Sequence, residues 1–312
     1  MGNKVSIGGQ ALIEGVMMKA PEKYSVAVRK PDGTIDVQTY KNKKMKFSKI
    51  PVLRGMEAFV DSILTGYKSL MHATEIALNE EYEEDKFEKW VKKHFGDKVS
   101  DFLSTVAVVI GGTLALIMFM VIPTAITGFV DRMYPLGAMK PVLEGVIKLT
   151  VFLLYMYGIS KMKDIKRVFG YHGAEHKSIA CYESGLPLTV ENVRKFTRFH
   201  PRCGTSFIFI TVAVSIIVFS FVPWHGTFSR AILKVLFLPV VLGFSYEILR
   251  YTGLHDNRLT KILAAPGLWL QRITTNEPDD SMIEVGIASV NAVLPETIVK
   301  PEKEEKIMNA AN

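Results

Sequence analysis

The chain of 312 residues is short of charge in two long stretches. No Asp, Glu, Lys or Arg occurs from Phe102 to Val130, and none from Cys203 to Trp224. Each run exceeds the roughly 20 apolar residues needed to cross a hydrocarbon core, which argues against a wholly soluble fold. Cysteine is scarce too. Cys181 and Cys203 are the only two, too few for a disulfide framework, and on the inner side of a membrane a reduced thiol or a metal thiolate is the expected state. Residues 1–21 lack the continuous apolar core of a signal peptide, because Gly8, Gly9, Glu14 and Gly15 interrupt it. Residues 1–100 are therefore expected to stay on the side where they are made. There is no internal repeat, no helix-turn-helix and no RNA-binding pattern. A nucleotide loop is excluded as well: Gly8, Gly9 and Gly15 have neither the full glycine spacing nor a following Lys-Ser/Thr.

What is present reads as a polytopic membrane protein. Two further apolar stretches flank the charge-free runs: Pro141 to Ser160, carrying Glu144 and Lys148, and Arg230 to Arg250, carrying Lys234 and Glu247. The expectation is about four transmembrane helices. Glu144 and Lys148 are placed to pair along one helix near the outer surface, and Lys234 to snorkel. Pro123 is expected to kink or end the first span. Lys161, Lys163, Lys166, Arg167, Lys177, Arg194, Lys195, Arg198 and Arg202 crowd the segment between the second and third spans, whereas the other two connections carry few basic residues. The positive-inside rule then makes this segment cytoplasmic, with both termini on the same side of a bacterial cell membrane. The net charge of +7 follows from that topology and an anionic bilayer surface, so lipid, and not nucleic acid, is the expected partner.

The fold class expected is mainly α, with a small N-terminal β-hairpin and amphipathic helices on the cytoplasmic side. Residues 1–100 form a cytoplasmic α+β region, 101–160 the first two transmembrane helices, 161–204 a cytoplasmic loop, 205–250 helices three and four, 251–295 interfacial and cytoplasmic helices, and 296–312 a disordered tail. The hairpin is read from alternation over Tyr24–Arg29 and Thr34–Tyr40 around a Pro31-Asp32-Gly33 turn. Before it, the glycines of Ile7–Met18 suit a tight path or a close approach. From Arg54 to about Glu80, Met56, Phe59, Val60, Ile63, Leu64, Tyr67, Leu70 and Met71 recur at helical spacing. They predict an amphipathic helix that lies on the membrane or packs on the bundle. Leu259–Trp269 is apolar but too short to cross, and Ser281–Leu294 suits a final amphipathic helix.

Chemistry concentrates in Tyr171-His172-Gly173-Ala174-Glu175-His176-Lys177. On a helix His172 and His176 share a face and can grip one metal ion, with Glu175 beside them as a base. This is the H-E-x-x-H zinc arrangement in reverse order. Downstream, His200-Pro201-Arg202-Cys203 offers an imidazole and a thiolate in the same cytoplasmic segment, both suited to zinc. Four ligands would make a closed, structural site, and three with an open position a catalytic one; spacing leaves both open. Glu247, near the cytoplasmic end of the fourth span, is a candidate carboxylate ligand or an orienter of a ligating histidine, with a local pair to Arg250 as the equal alternative. A divalent metal, with zinc the expected ion, is the implied cofactor. His72, His94, His225 and His255 lack such company.

Gly8–Met18, Tyr171–Lys177, His200–Ser206 and Gln271-Arg272-Ile273-Thr274-Thr275 closely resemble blocks of the YqhQ-like family of bacterial membrane proteins. The resemblance covers nearly the whole chain up to about Leu294. It implies a bacterial integral membrane protein of a family without an assigned activity, sometimes labelled metal-dependent enzymes. It carries over no catalytic residues. The H-x-x-E-H alone is also similar to the inverzincin metalloproteases, which would make His172 and His176 zinc ligands, Glu175 the base and a distant glutamate such as Glu247 the third ligand. A span separates the two parts here, so that likeness extends to local chemistry only.

The leading functional expectation is a metal-dependent membrane hydrolase at the cytoplasmic interface, acting on a membrane peptide or lipid. Glu175 would move the proton of a water ionised by the metal. The alternative is a non-catalytic scaffold or assembly factor for other membrane proteins with a structural metal, and a transporter ranks last. Gln10 and Glu14 are the residues of the glycine-rich block that could reach the site.

Overall fold

A computed structural model describes residues 5–77, 98–222, 227–255 and 257–295. The expected disordered tail, 296–312, lies outside them, as do His94 and His225. The N-terminal region is a four-stranded antiparallel meander, not a single hairpin: β1 (Gly8–Leu12), β2 (Gly15–Lys19), β3 (Lys23–Arg29) and β4 (Ile35–Lys41), in the order β1-β2-β3-β4. Leu12 pairs with Gly15 across a two-residue turn in which Glu14 takes φ 50°. The expected hairpin is β3–β4, registered from Lys23↔Lys41 to Arg29↔Ile35.

Side chains alternate across a strand, and here both faces of the sheet are covered. Val16, Met18 and Ala27 join a core with Tyr171, Ala174, Met282, Val285 and Val290, contributed by α5 (Lys163–Ser184) and α10 (Asp280–Val293). Leu12, Met17, Val26 and Val28 face the other way and pack with Ala73 of α1 (Leu53–Ala77). α10 starts at Asp279, whose carboxylate accepts from the Met282 amide at 3.0 Å. The sheet layer therefore draws on both ends and the middle of the chain.

The second layer is a helical bundle. It contains α2 (Lys98–Leu116), a π turn at Ile117–Val121, α3 (Ile122–Met133), α4 (Lys140–Ile159), α7 (Thr205–Ser220) and α8 (Thr227–Leu254). Among the described residues, three stretches are long and apolar enough to cross a membrane: Val108–Met133, Gly137–Ile159 and Ile232–Leu254. Their large side chains point outward, as at Leu154 and Leu236, each 67% exposed, a pattern that suits lipid and not water. Three, rather than the four expected, meet that length. The third expected span is α7, with 16 residues, about 24 Å at 1.5 Å per residue. Before it the chain turns at Cys203, whose sulfur lies against His172 of α5. Pro123 does not end the first span. The helix runs on after the π turn, whose extra residue relieves the clash between a proline ring and the preceding turn.

The polar groups inside the bundle also differ from expectation. Glu144 pairs not with Lys148 but with Lys234, which is buried and does not snorkel. The Thr124 hydroxyl bridges them, accepting from Lys234 Nζ at 2.7 Å and lying 3.0 Å from Glu144 Oε1. Three helices, α3, α4 and α8, are thereby tied together in a region where an unpartnered charge would be costly.

Two further helices join the layers. α1 leans on α8 where Gly55 meets the backbone of Gly243, and Phe59 packs 6.2 Å from Phe207 of α7. α9 (Arg258–Thr274), which covers the expected interfacial segment, is capped by Asn257 in a capping box with Thr260 and packs on α7.

Candidate metal centre

The segment 161–204 folds as the helix, turn and helix that its Ser184–Pro187 turn signal and Thr189 cap predict: α5 ends at Ser184, and the short α6 (Val190–Arg194) follows Thr189, whose side chain accepts from the Asn192 amide. α5 presents His172 and His176 on one face, with ring centroids 4.4 Å apart. The turn before α7 brings Cys203 to the same point: its Sγ lies 3.4 Å from His172 Nε2. One ligand atom from each of His172, His176 and Cys203 falls within 4.8 Å of the others. Zinc bonds of about 2.0–2.1 Å to nitrogen and about 2.3 Å to sulfur put tetrahedral neighbours about 3.6 Å apart, so this donor set fits such an ion.

Both rings are set in the tautomer that offers Nε2 to a metal. His172 Nδ1 lies 2.8 Å from the Thr274 carbonyl, and His176 Nδ1 lies 2.5 Å from that of Arg198. A carbonyl only accepts, so each Nδ1 carries the proton and each Nε2 keeps a lone pair. His176 Nε2 is buried and has no protein hydrogen-bond partner, a cost that a bound ion would remove. Burial pushes the His176 pKa below the usual range; the Cys203 thiol and the Arg198 carbonyl act in the opposite direction.

Glu175 is buried beside this group, with Oε2 3.8 Å from His172 Nε2. Desolvation raises its carboxyl pKa, against the opposing pull of His172, His200 and the Gly9 amide. The glycine-rich block meets the site here. A Cβ on Gly9 would fall 2.8 Å from Glu175 Cγ and 2.7 Å from the Met17 carbonyl, so only glycine lets β1 approach so closely. Gln10 lines the cleft above the group. Glu14 does not reach it and instead receives Arg167 and the Tyr171 hydroxyl.

His200 and Glu247 stand apart from the three ligand atoms. The His200 ring is 5.6 Å from that of His176, and its Nε2 faces Glu183 at 3.6 Å. Gln271 fixes it by accepting from the His200 amide and donating to its carbonyl, each at 2.8 Å. The expected ligand or orienting role of Glu247 gives way to a different one. Both its oxygens are held by the Arg54 guanidinium, and it also accepts from the Val52 amide at 3.3 Å; it docks α1 on α8. Cys181 is buried away from the group, and like Cys203 it is a free thiol.

The segment after α9 supports the site from behind. Asn276 donates its amide to the Phe169 carbonyl at 2.8 Å and its side chain to that of Lys166 at 3.0 Å. It crosses α5 at Gly173, where a Cβ would lie 2.1 Å from the Asn276 oxygen. Lys177, on the next turn, is paired with Glu277. Sequence reading missed the orienting carbonyls of Arg198 and Thr274, since any residue type supplies a carbonyl.

Residues 50–296 match the family described as "Protein of unknown function (DUF1385)". The chain is 39% identical over 293 residues to the uncharacterized protein YqhQ of Bacillus subtilis (strain 168), a match that covers 92% of each protein. No solved structure matches it. Between them, the family model and this full-length relative establish that the chain belongs to the DUF1385, or YqhQ-like, family.

Proposed function

We propose that the protein is a metal-dependent hydrolase working at the cytoplasmic face of a bacterial cell membrane, on a membrane peptide or lipid. The observation that carries this reading is the three-ligand group of His172, His176 and Cys203 beside the buried Glu175 and open to a cleft of about 950 Å³. Three protein ligands with room for a further one are the pattern of catalytic zinc sites. When bound, such an ion polarises a carbonyl or phosphoryl oxygen and makes water more acidic. The chain's own contribution is to hold both imidazoles by their Nδ1 protons, keep Glu175 within reach of the reacting position, and shield its carboxylate behind Gly9.

The topology proposed with it has four crossings. One continuous core takes residues from the N-terminal sheet, from α5 and from α10, so these share one side of the bilayer. The chain between α5 and α10 must then cross an even number of times. α8 is one crossing, and α7, short as it is, supplies the other. The basic residues from Lys161 to Arg202 support a cytoplasmic setting for that shared side.

A structural metal in a scaffold protein is the second reading. It is favoured by the place of Cys203, on the turn that leads into α7, where an ion would clasp the sheet layer to the bundle. Glu175→Gln separates the two. A hydrolase retains metal and thermal stability but loses its cellular function. A variant that retains metal and function together would overturn the catalytic reading.

A further inference from the structure

The cleft over the metal group adjoins a second hollow of about 580 Å³, and the two share walls formed by residues 41–45 and Asp61. The first hollow is lined by Lys19, Lys41, Lys43, Lys44 and Arg202 together with Glu22, Asp61 and Glu175. Lys19 is paired with Asp61, and Arg202 with Glu183. Lys41, Lys43 and Lys44 are exposed and have no ion-pair partner among the described residues. The second hollow has Met45, Phe47, Leu53, Met56, Val60 and Leu64 in its walls, with Glu57, Thr65 and Lys68 among them.

This trough runs along α1, whose packing is inverted relative to a soluble helix. Its buried residues are Gly55, Gly66, Ser69 and Ala73, while Val60, Ile63, Leu64 and Tyr67 stand exposed. The exposed face is continuous with the bundle, because α1 is seated on α8 at Gly55 and on α7 at Phe59. An apolar helix face beside a lysine-rich segment, at the head of membrane-crossing helices, is the composition of a surface that meets anionic lipid.

We propose that the site takes a phosphate-bearing lipid. The anionic headgroup sits beneath Lys41, Lys43 and Lys44 over the His172–His176–Cys203 group, and an acyl chain lies in the trough between residues 45–47 and α1. The proposal deepens the hydrolase reading by naming its substrate class, but binding of the lipid does not itself require the metal.

The test uses the full chain held in amphipol, titrated calorimetrically with dihexanoyl phosphatidic acid, dihexanoyl phosphatidylcholine and glycerol 3-phosphate. Phosphatidic acid is expected to bind at least about tenfold more tightly than either of the others, given the attraction of three lysines and one buried chain. Replacing Lys41, Lys43 and Lys44 together by Gln should abolish the preference over phosphatidylcholine. Val60→Ser with Leu64→Ser should abolish the preference over glycerol 3-phosphate. Equal binding of the two lipids would overturn the proposal. Glycerol 3-phosphate binding as tightly as phosphatidic acid would also overturn it, in favour of a soluble phosphate ligand. Tighter binding of an apolar membrane peptide would do so in favour of a peptide site. The same titration on His176→Ala keeps the readings apart. Lipid preference in metal-free protein sustains the lipid site even if the hydrolase reading fails, and its absence in metal-loaded wild type removes the lipid site alone.

Discussion

Gly173→Ala is a one-methyl perturbation at the point where the chain crosses behind the candidate metal centre. The added Cβ would sit 2.1 Å from the Asn276 carbonyl oxygen and 3.2 Å from Pro278 Cδ. To restore even 3.0 Å, helix and crossing segment must separate by roughly 0.9 Å. The crowding atom belongs to the backbone and has no rotamer to escape into. Overpacking of this kind costs about 1–3 kcal/mol, and the upper part of that range applies here. Alanine's better helix propensity offsets about 1 kcal/mol, which leaves a net loss of about 1–2 kcal/mol. The displacement also reaches the proposed metal site. Thr274, two residues before Asn276, supplies the carbonyl that orients His172, and disturbing such a partner weakens metal binding by about 10–100-fold. Gly158→Ala is the control, because a Cβ there meets nothing within 4 Å. The assay is thermal unfolding of the detergent-solubilised protein, with zinc affinity measured by chelator competition. Gly173→Ala should lower both the midpoint and the affinity, and Gly158→Ala neither. A Gly173→Ala protein with wild-type values for both would refute the crossing geometry.

Other perturbations separate structural roles from the metal centre. Lys234→Met removes the buried lysine that pairs with Glu144 and should cost about 3–5 kcal/mol; adding Glu144→Gln should recover much of the lost thermal stability, and no recovery would deny the pairing. Arg54→Met frees Glu247 and should loosen α1, lowering the melting midpoint; metal content should be unchanged, and a loss of metal would return Glu247 to the site. Asp279→Ala removes the N-cap of α10 and should cost about 1 kcal/mol, read as a shift in the same midpoint.

Much of the site was legible because it is local. The four-residue separation of His172 and His176 is enough to put both on one face of α5. Cys203 was legible as a partner because a thiolate close to the start of an apolar run has few other uses. Partnerships across the chain were not. Glu247 carries its nearest cation in sequence at Arg250, yet it takes Arg54 from a helix almost two hundred residues earlier, because the close approach of Gly55 to Gly243 brings the two helices together. Glu144 likewise passes over Lys148 for Lys234, since helix spacing describes one helix and the bundle is built from several. The β1–β2 hairpin was hidden by its turn, where Glu14 adopts positive φ without the Asn-Gly or Asp-Gly that announces such turns. The third apolar run predicted a full crossing from its lack of charge. Lack of charge does not reveal that its first residues are held against α5 and α9, where Cys203 meets His172 and Thr205 meets Gln271.

The central claim is that His172, His176 and Cys203 hold one metal ion, and metal content tests it most directly. Wild-type protein purified without chelators and analysed by plasma mass spectrometry should carry about one zinc per chain. His176→Ala and Cys203→Ser should lose it, while Glu175→Gln and Glu247→Gln should retain it. Wild-type protein that stays metal-free after incubation with zinc, or His176→Ala protein that retains the full equivalent, would contradict the account.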